Sequence, residues 1–322
     1  MTDWSAMTDA EFRKEVRQFF EAEYPEELRH LPHRPKFAEI EHWHRKLHAK
    51  GWVAPAWPAE FGGMGLNAAK LLIFYEEQQR WGVNRGRDMG VQMVGPLIIK
   101  FGTQEQKDYW LPRILTCEDI WCQGYSEPGA GSDLANLRTR AEIDGDDFVI
   151  NGQKIWTSTA KQADMIFCLV RTEPDAPKHG GISYLIFSMD TPGIEVRPLK
   201  TMTGHAEFNE TFFTDVRVPL DQIVGQRGQG WYVANATLGH ERGMLGDPDA
   251  LENRLQALVR LMQKERIGQG CAMDNAVLRD RLVALQAEVA AMKFNGMRIL
   301  SNSLRGDAGG MAKLVVKLQT CE

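Results

Sequence analysis

Apolar residues recur every three or four positions through the first 120 residues of the chain. Three such sets are Phe12, Val16 and Phe19; Ile40, Trp43 and Leu47; and Leu71, Leu72 and Tyr75. This spacing places each set on one face of an amphipathic helix. Thr103, followed three positions later by Gln106, is typical of a helix-starting capping box. The pattern predicts an N-terminal α-helical domain over residues 1–120, interrupted by a Gly- and Pro-rich segment at 51–66.

Between residues 121 and 224 the helical spacing gives way to short β-type runs. The clearest runs are 165–170, 182–187 and 211–218. Asp144-Gly145 and Asn151-Gly152 flank the run Phe148 to Ile150, and both dipeptides are hairpin-turn signals. These features predict a middle β-barrel or sandwich domain over residues 121–224.

The helical spacing returns after Gly225. A series that steps by four, three, four and three residues is typical of a bundle helix, and consists of Leu278, Leu282, Leu285, Val289 and Met292. Asp247-Pro248 resembles an N-cap followed by Pro at the first helical position. We therefore expect a C-terminal helical bundle over 225–322, and an α+β multidomain fold for the chain as a whole.

Composition excludes several classes of function. Of the 322 residues, 43% are hydrophobic and 25% charged, and the net charge of -5 provides no general attraction for nucleic acid or anionic membranes. No apolar run is long enough to predict a membrane span, and the N-terminal residues do not resemble a secretory signal. The 5 cysteines are scattered, which argues against a disulfide framework or a thiolate metal site. These features predict a cytoplasmic protein with no bound metal.

The segment with the most chemical content is WCQGYSEPGAGSD at 121–133. Its glycines allow a ligand to approach the backbone, and its hydroxyl and amide groups can donate hydrogen bonds. By composition alone it is a turn leading into the β domain. It lacks the third glycine and the βαβ context of a dinucleotide-binding fingerprint. His44 and His48 have zinc-compatible spacing, but no third ligand is evident, so two exposed histidines are expected.

Two blocks, SEPGAGSDLANLRTRA and NGQKIWTSTA, resemble the signature of the acyl-CoA dehydrogenase family, and the spacing between them matches as well. GWVAPAWPAEFGGMG, FGTQEQKDYWLPRIL and GQGWYVANATLGHERG also resemble family segments at their expected places. The resemblance extends over essentially the whole chain. It implies an FAD-dependent oxidoreductase of fatty acid or other lipid metabolism.

The resemblance implies positions for the cofactor and substrate contacts. Residues expected to line the flavin ring are Gln123, Gly124, Tyr125 and Ser126, and those expected between flavin and thioester are Gly131 and Ser132. Trp156 and Ser158 are expected to pack on and hydrogen-bond the other side of the flavin. Considered alone, Trp156 would be a core aromatic residue of the β domain. Ser132 and Arg242 are the expected substrate contacts.

The family also implies a catalytic base. Its members carry a Glu at one of two positions, and Glu241 followed by Arg242 resembles the arrangement of the isovaleryl, long-chain and steroid-type enzymes. Without the resemblance, a helical Glu is usually a solvated residue paired with a neighbouring charge. Glu241 is thus the predicted base, and His240 is expected to be only its neighbour.

The sequence departs from the family in two places. A cross-subunit flavin contact is expected near residues 264–268, where Arg266 is an imperfect counterpart. The family's two closing helices are missing, so the C-terminal domain is expected to be truncated relative to the family.

Several functions stay open at this point. The main hypothesis is an acyl-CoA dehydrogenase that forms a homodimer or homotetramer and passes electrons to an electron-transferring flavoprotein. The alternatives are an acyl-CoA oxidase or flavin monooxygenase on the same fold, and a non-catalytic or partner-completed subunit of a heterotetramer. The acyl group cannot be deduced from the sequence, because straight, branched, long and steroid-linked chains all fit.

Overall fold

The computed structural model describes residues 3–29, 35–83, 89–202, 204–236, 248–304 and 315. The chain divides into two compact units. Unit 1 comprises Met1–Lys36, Leu66–Arg85 and Glu241–Glu322, and unit 2 comprises Phe37–Gly65 and Gly86–His240. Along the chain, helices come first, then a β-sheet, then helices again. The predicted fold class is therefore confirmed, although each unit combines segments that are distant in sequence.

Unit 1 is helical. Its helices are α1 (Asp9–Glu23), α3 (Ala68–Trp81), α6 (Pro248–Lys264) and α7 (Ala276–Leu304). A short hairpin of β8 (Arg266–Ile267) and β9 (Gly270–Cys271) follows α6. Helix α6 is described from Pro248 onward, and Asp247, the predicted N-cap, lies outside the described residues. Among the described residues, no helix has the length and apolar character needed to cross a membrane.

The apolar face of α1 differs by one residue from the sequence prediction. Phe12, Val16 and Phe20 are fully buried. The third member of the face is Phe20 and not Phe19, because Phe20 packs edge-on against Phe74 of α3 with ring centroids 5.4 Å apart. The helix begins with a capping box in which Thr8 accepts from the Glu11 backbone N–H. Local capping and the contact with α3 thus act together on this helix.

Unit 2 contains helices α2 (Phe37–Lys50), α4 (Gly95–Phe101) and α5 (Gln104–Thr116), with a π-helical turn at Gly90–Val94. The capping box predicted at Thr103 is confirmed, since Thr103 and Gln106 each accept the other's backbone N–H at 3.2 Å. The Gln106 side chain also donates to the carbonyls of Asp221 and Ile223. One side chain therefore starts α5 and fastens it to the end of the β domain.

The β domain is a seven-stranded sheet. Its strands are β1 (Trp121–Gly124), β2 (Arg140–Asp144), β3 (Asp147–Lys154), β4 (Met165–Arg171), β5 (Ile182–Ser188), β6 (Ile194–Leu199) and β7 (Phe208–Pro219). The order is β1-β4-β2-β3-β7-β6, and β5 also pairs with β4. Strand β1 runs parallel to β4, whereas β3 is antiparallel to both β2 and β7. With this strand order, the segment that follows β1 lies next to the segment that follows β3.

Asn151-Gly152, the second predicted turn, lies within strand β3. The first hairpin forms as expected, with Asp144 paired to Asp147, but β3 continues through Asn151 and Gly152 to Lys154. The register against β7 shifts between Ile150 and Gly152, where the sequence signal marks an irregularity within a strand. Gly152 has φ +152°, and an added Cβ would lie 2.6 Å from the Thr139 hydroxyl. Glycine is needed there because two backbones approach closely.

Both faces of the central strand β4 are buried. Phe167 and Leu169 belong to a cluster that includes Leu97 of α4 and Ile114 of α5. Alternate residues of the same strand, Cys168 among them, belong to a second cluster on the opposite face. The near-continuous apolar run at 165–170 follows from this double burial.

The last bundle helix keeps only part of its predicted apolar face inside unit 1. Leu282, Val289 and Met292 are buried, whereas Leu285 is 39% exposed.

Candidate functional site

The end of strand β1 forms one wall of the candidate site. Gly124 is buried, and an added Cβ would lie 2.8 Å from Ile166 and 3.0 Å from Cys168. The side-chain nitrogen of Gln123 is buried and has no hydrogen-bond partner among the described residues. A buried donor without a partner is costly, so a ligand acceptor at this point would stabilise it.

A tight turn follows at once. Glu127 and Ala130 exchange two backbone hydrogen bonds of 3.0 Å, which close the turn around Pro128 and Gly129. Beyond it, Gly131 and Ser132 are exposed, and a Cβ added at Gly131 would meet no heavy atom within 4 Å. This stretch of backbone therefore has open space in front of it.

Tyr125 contributes its main chain to the candidate site. Its ring packs into the core beside Phe167 and Tyr184, with centroid distances of 5.9 and 6.3 Å. Its carbonyl accepts a hydrogen bond from Lys154. If Tyr125 lines the flavin as the resemblance implies, it does so with its main chain, because its ring belongs to the core.

The segment that leaves β3 lies directly against the segment that leaves β1. The Ile155 N–H donates to the Ser126 carbonyl at 2.8 Å. Thr157 and Asn209 then exchange two hydrogen bonds, of 3.0 and 2.9 Å, which fasten the β3 exit to β7. The two segments that the sequence nominated are therefore neighbours in space.

Trp156 is held outward in a conformation that L residues rarely adopt. Its φ is +60°, its side chain is 58% exposed, and its ring meets Phe208 edge-on at 5.9 Å. A non-glycine residue in the left-handed region costs about 1–3 kcal/mol and persists only where its surroundings enforce it. A large apolar ring that is exposed on a strained backbone suggests a surface for a planar ligand.

A buried ion pair underlies both segments. Lys154 is fully buried, and its ammonium lies 2.8 Å from the Glu127 carboxylate. The same carboxylate accepts the backbone N–H groups of Arg138 and Thr139 at 2.6 and 2.9 Å. Burial alone raises the pKa of Glu127, but Lys154 and the hydrogen-bond donors outweigh it and hold the pKa below its usual range. This carboxylate is therefore ionised at neutral pH.

Most of the predicted site residues lie in one region of the structure, and their roles stay predictions. Gln123, Gly124, Tyr125, Ser126, Gly131, Ser132, Trp156 and Ser158 all lie on the two adjoining segments. Glu241 and Arg242 lie outside the described residues.

Sequence reasoning missed Lys154 and Glu127. The signal was present, because Lys154 has the same strand parity as the buried Phe148 and Ile150. A lysine at an inward position requires a buried acceptor.

Metal chemistry finds no support in the described part of the chain. No group of three or more His, Cys, Asp or Glu side chains there could hold an ion. His44 is half-buried, not exposed as expected, and its Nε2 lies 2.9 Å from the Leu115 carbonyl. His48 is exposed.

The residues present fit a flavin. A planar ring system needs an apolar surface and hydrogen-bond donors around its edge. Trp156 supplies an apolar surface, and the Gln123 side-chain nitrogen supplies a donor. The open approach at Gly131 leaves room for an extended ligand.

Comparison with known proteins agrees with this description. Models of the acyl-CoA dehydrogenase N-terminal, middle and C-terminal domains match residues 7–118, 122–216 and 228–322. The helix–sheet–helix order matches the acyl-CoA dehydrogenase fold. The chain belongs to the acyl-CoA dehydrogenase family.

Three relatives illustrate the similarity. Acyl-CoA dehydrogenase IpdE1 of Mycobacterium tuberculosis is 44% identical over 260 residues, which cover 80% of this chain and 66% of the relative. The solved Tcur3481-Tcur3483 steroid ACAD is 31% identical with a TM-score of 0.80, covering 97% of this chain and 83% of that one. The solved ChsE4-ChsE5 complex from Mycobacterium tuberculosis is 33% identical with a TM-score of 0.80, covering 98% and 81%.

Proposed function

We propose that this protein catalyses the FAD-dependent α,β-dehydrogenation of an acyl-CoA thioester. Family membership supports the reaction class. At the level of residues, the proposal depends on the junction between Ser126 and Ile155, which sets the exposed Trp156 beside the end of β1. This arrangement offers a flat apolar surface next to backbone and side-chain donors.

The residues that would hold FAD are those on the two adjoining segments. Gln123 to Ser126 would contact one side, Trp156 and Ser158 the other, and Gly131 with Ser132 would border the thioester. FAD, when bound, supplies the acceptor for the hydride that leaves the substrate β carbon. The protein contributes orientation and hydrogen bonds, and Ser132 and Arg242 would contact the substrate.

Glu241 is the proposed base. The α proton of a thioester is weakly acidic, so its removal requires a positioned carboxylate and donors near the thioester carbonyl. An apolar approach disfavours the charged form of a carboxylate and so increases its basicity. Arg242, next in sequence, would orient this region.

The names of the relatives favour particular substrates and partners. Similarity to a steroid ACAD favours a steroid-linked acyl group among those that the sequence leaves open. Similarity to the ChsE4-ChsE5 complex favours a heteromer that includes a second subunit, over a homodimer or homotetramer. An electron-transferring flavoprotein is the proposed electron acceptor, and a cytoplasmic location stays a prediction.

The decisive experiment is anaerobic reduction of the flavin-loaded protein by a panel of acyl-CoA thioesters, including a steroid-linked one. Glu241→Gln should abolish bleaching of the flavin absorbance without loss of bound flavin. Glu288→Gln is the matched control, because Glu288 is an exposed Glu on a C-terminal helix. Undiminished bleaching by the Glu241 variant would remove Glu241 as the base.

The same preparation separates the alternatives. Rapid oxygen uptake with acyl-CoA would indicate an oxidase or monooxygenase, whereas dye reduction without oxygen uptake supports a dehydrogenase. A purified protein that stays colourless with excess FAD would indicate a non-catalytic subunit, whereas an oxidised-flavin spectrum would argue against one.

A further inference from the structure

The buried ion pair between Lys154 and Glu127 has no role in the chemistry described above. It nevertheless contacts each segment of the candidate site. The Lys154 ammonium donates to the Glu127 carboxylate at 2.8 Å and to the Tyr125 carbonyl at 3.1 Å. Lys154 itself immediately precedes Ile155 and Trp156 in the chain.

The carboxylate extends the connection to a third segment. Glu127 begins the tight turn, and its two oxygens accept the backbone N–H groups of Arg138 and Thr139. The end of β1, the turn, the entry to β2 and the end of β3 thus meet at one carboxylate and one ammonium.

Stability alone is a weak explanation for this pair. Removing two charges from water costs several kcal/mol, and well-packed apolar residues often stabilise a core equally well. Removal of one partner, by contrast, leaves an uncompensated buried charge. In some proteins a buried ion pair instead favours one arrangement of the backbone over competing ones.

We infer that Lys154 and Glu127 are positioning residues that hold the two cofactor-lining segments at the separation a flavin requires. The inference rests on the proposed function, since it concerns the same site. Without the ammonium, the Tyr125 carbonyl and the Glu127 carboxylate lose their shared donor. The hydrogen bond from the Ile155 N–H to the Ser126 carbonyl is then left without the ionic link beneath it.

The test measures the dissociation constant of FAD and the shape of its visible absorption band. The variants are Lys154→Met, which removes the charge, and the double variant Lys154→Met with Glu127→Gln, which leaves no charge behind. Lys154→Arg tests rescue by a conservative change. Arg113→Met is the control, since Arg113 forms a 2.6 Å ion pair with the nearly buried Asp119 and contacts neither cofactor segment.

We expect Lys154→Met to raise the dissociation constant by about tenfold or more, which corresponds to about 1.4 kcal/mol. The double variant should recover much of the thermal stability lost in the single variant but keep the weakened FAD binding and an altered band. Lys154→Arg should restore binding in part. Arg113→Met should lower the unfolding temperature and leave FAD binding unchanged.

A double variant that binds FAD with the wild-type constant and band shape would show that the pair is only structural, and would overturn the inference. This comparison does not require the single variant to fold. If the wild-type protein binds no FAD, this inference and the proposed function fail together. If the wild type binds FAD but is not reduced by any thioester, only the proposed reaction fails.

Discussion

Replacement of Glu77 by Gln should loosen the contact between α1 and α3 in unit 1. Glu77 is 1% exposed and accepts hydrogen bonds from three arginines. Arg13 donates at 3.0 Å, Arg17 donates twice at 2.9 Å, and Arg80 donates at 2.7 Å. Gln keeps the shape of the side chain but removes the charge on which all three arginines converge.

The size of the effect follows from the pKa of Glu77. Burial alone raises this pKa, but the hydrogen bonds from Arg17, Arg80 and Arg13 outweigh it and lower the pKa from 4.5 to about 2. One pKa unit corresponds to about 1.4 kcal/mol, so the cluster contributes about 3 kcal/mol at most. The three arginine side chains are 37–44% exposed, so water screens part of this energy. We expect Glu77→Gln to cost about 2 kcal/mol at neutral pH.

The pH dependence has a definite sign. A carboxylate whose folded pKa lies below its unfolded value stabilises the protein above the unfolded pKa. The contribution of Glu77 is therefore complete above pH 4.5 and lost as the pH falls towards 2. The stability difference between wild type and variant should shrink over the same interval.

Hydrogen–deuterium exchange of peptides from α1 and α3 measures this locally. Glu76→Gln is the control, because Glu76 is one-third exposed and pairs only with Arg13 at 2.6 Å in the described structure. It should change the opening free energy by less than about 1 kcal/mol. Equal effects of the two variants, or a difference that does not vary between pH 4.5 and pH 2, would refute the reasoning.

Two further predictions concern the β domain. Trp156→Ala should leave the unfolding temperature nearly unchanged, because the ring is 58% exposed, but should weaken FAD binding about tenfold by titration. Tyr109→Ala, which removes a ring that is 57% exposed elsewhere, should not affect binding, and equal losses would argue against Trp156 as a flavin contact. Gly152→Ala should cost about 2–3 kcal/mol in chemical unfolding, because its Cβ would overlap Thr139. Gly145→Ala, at φ +65° with open space around it, should cost about 1 kcal/mol, and a Gly152 variant no worse than this would contradict the close approach.

Local patterns predicted those elements whose signals lie within a few residues. The Thr103 capping box and the 144–147 hairpin both form where the sequence placed them. Each depends on contacts between near neighbours in the chain. Strand β6, which the sequence analysis did not identify, has the half-exposed character that makes short strands hard to recognise.

Signals with two possible meanings required the tertiary context. Asn151-Gly152 is a turn signal in isolation, but β7 pairs on both sides of it and keeps the strand continuous. His44 was expected to be exposed, but the fold places Leu115, Cys117 and Phe37 against its ring and leaves it half-buried.

By itself, the sequence determined the order of helical and β regions, and through motif resemblance it nominated the residues of the candidate site. These conclusions depend on periodicity and on short motifs, which a linear chain records directly. The tertiary structure alone decided that β1 and β3 end side by side, that Trp156 turns outward, and that Lys154 meets Glu127 in the interior. Such facts depend on strand order and register, which join residues about 30 positions apart and have no local signature.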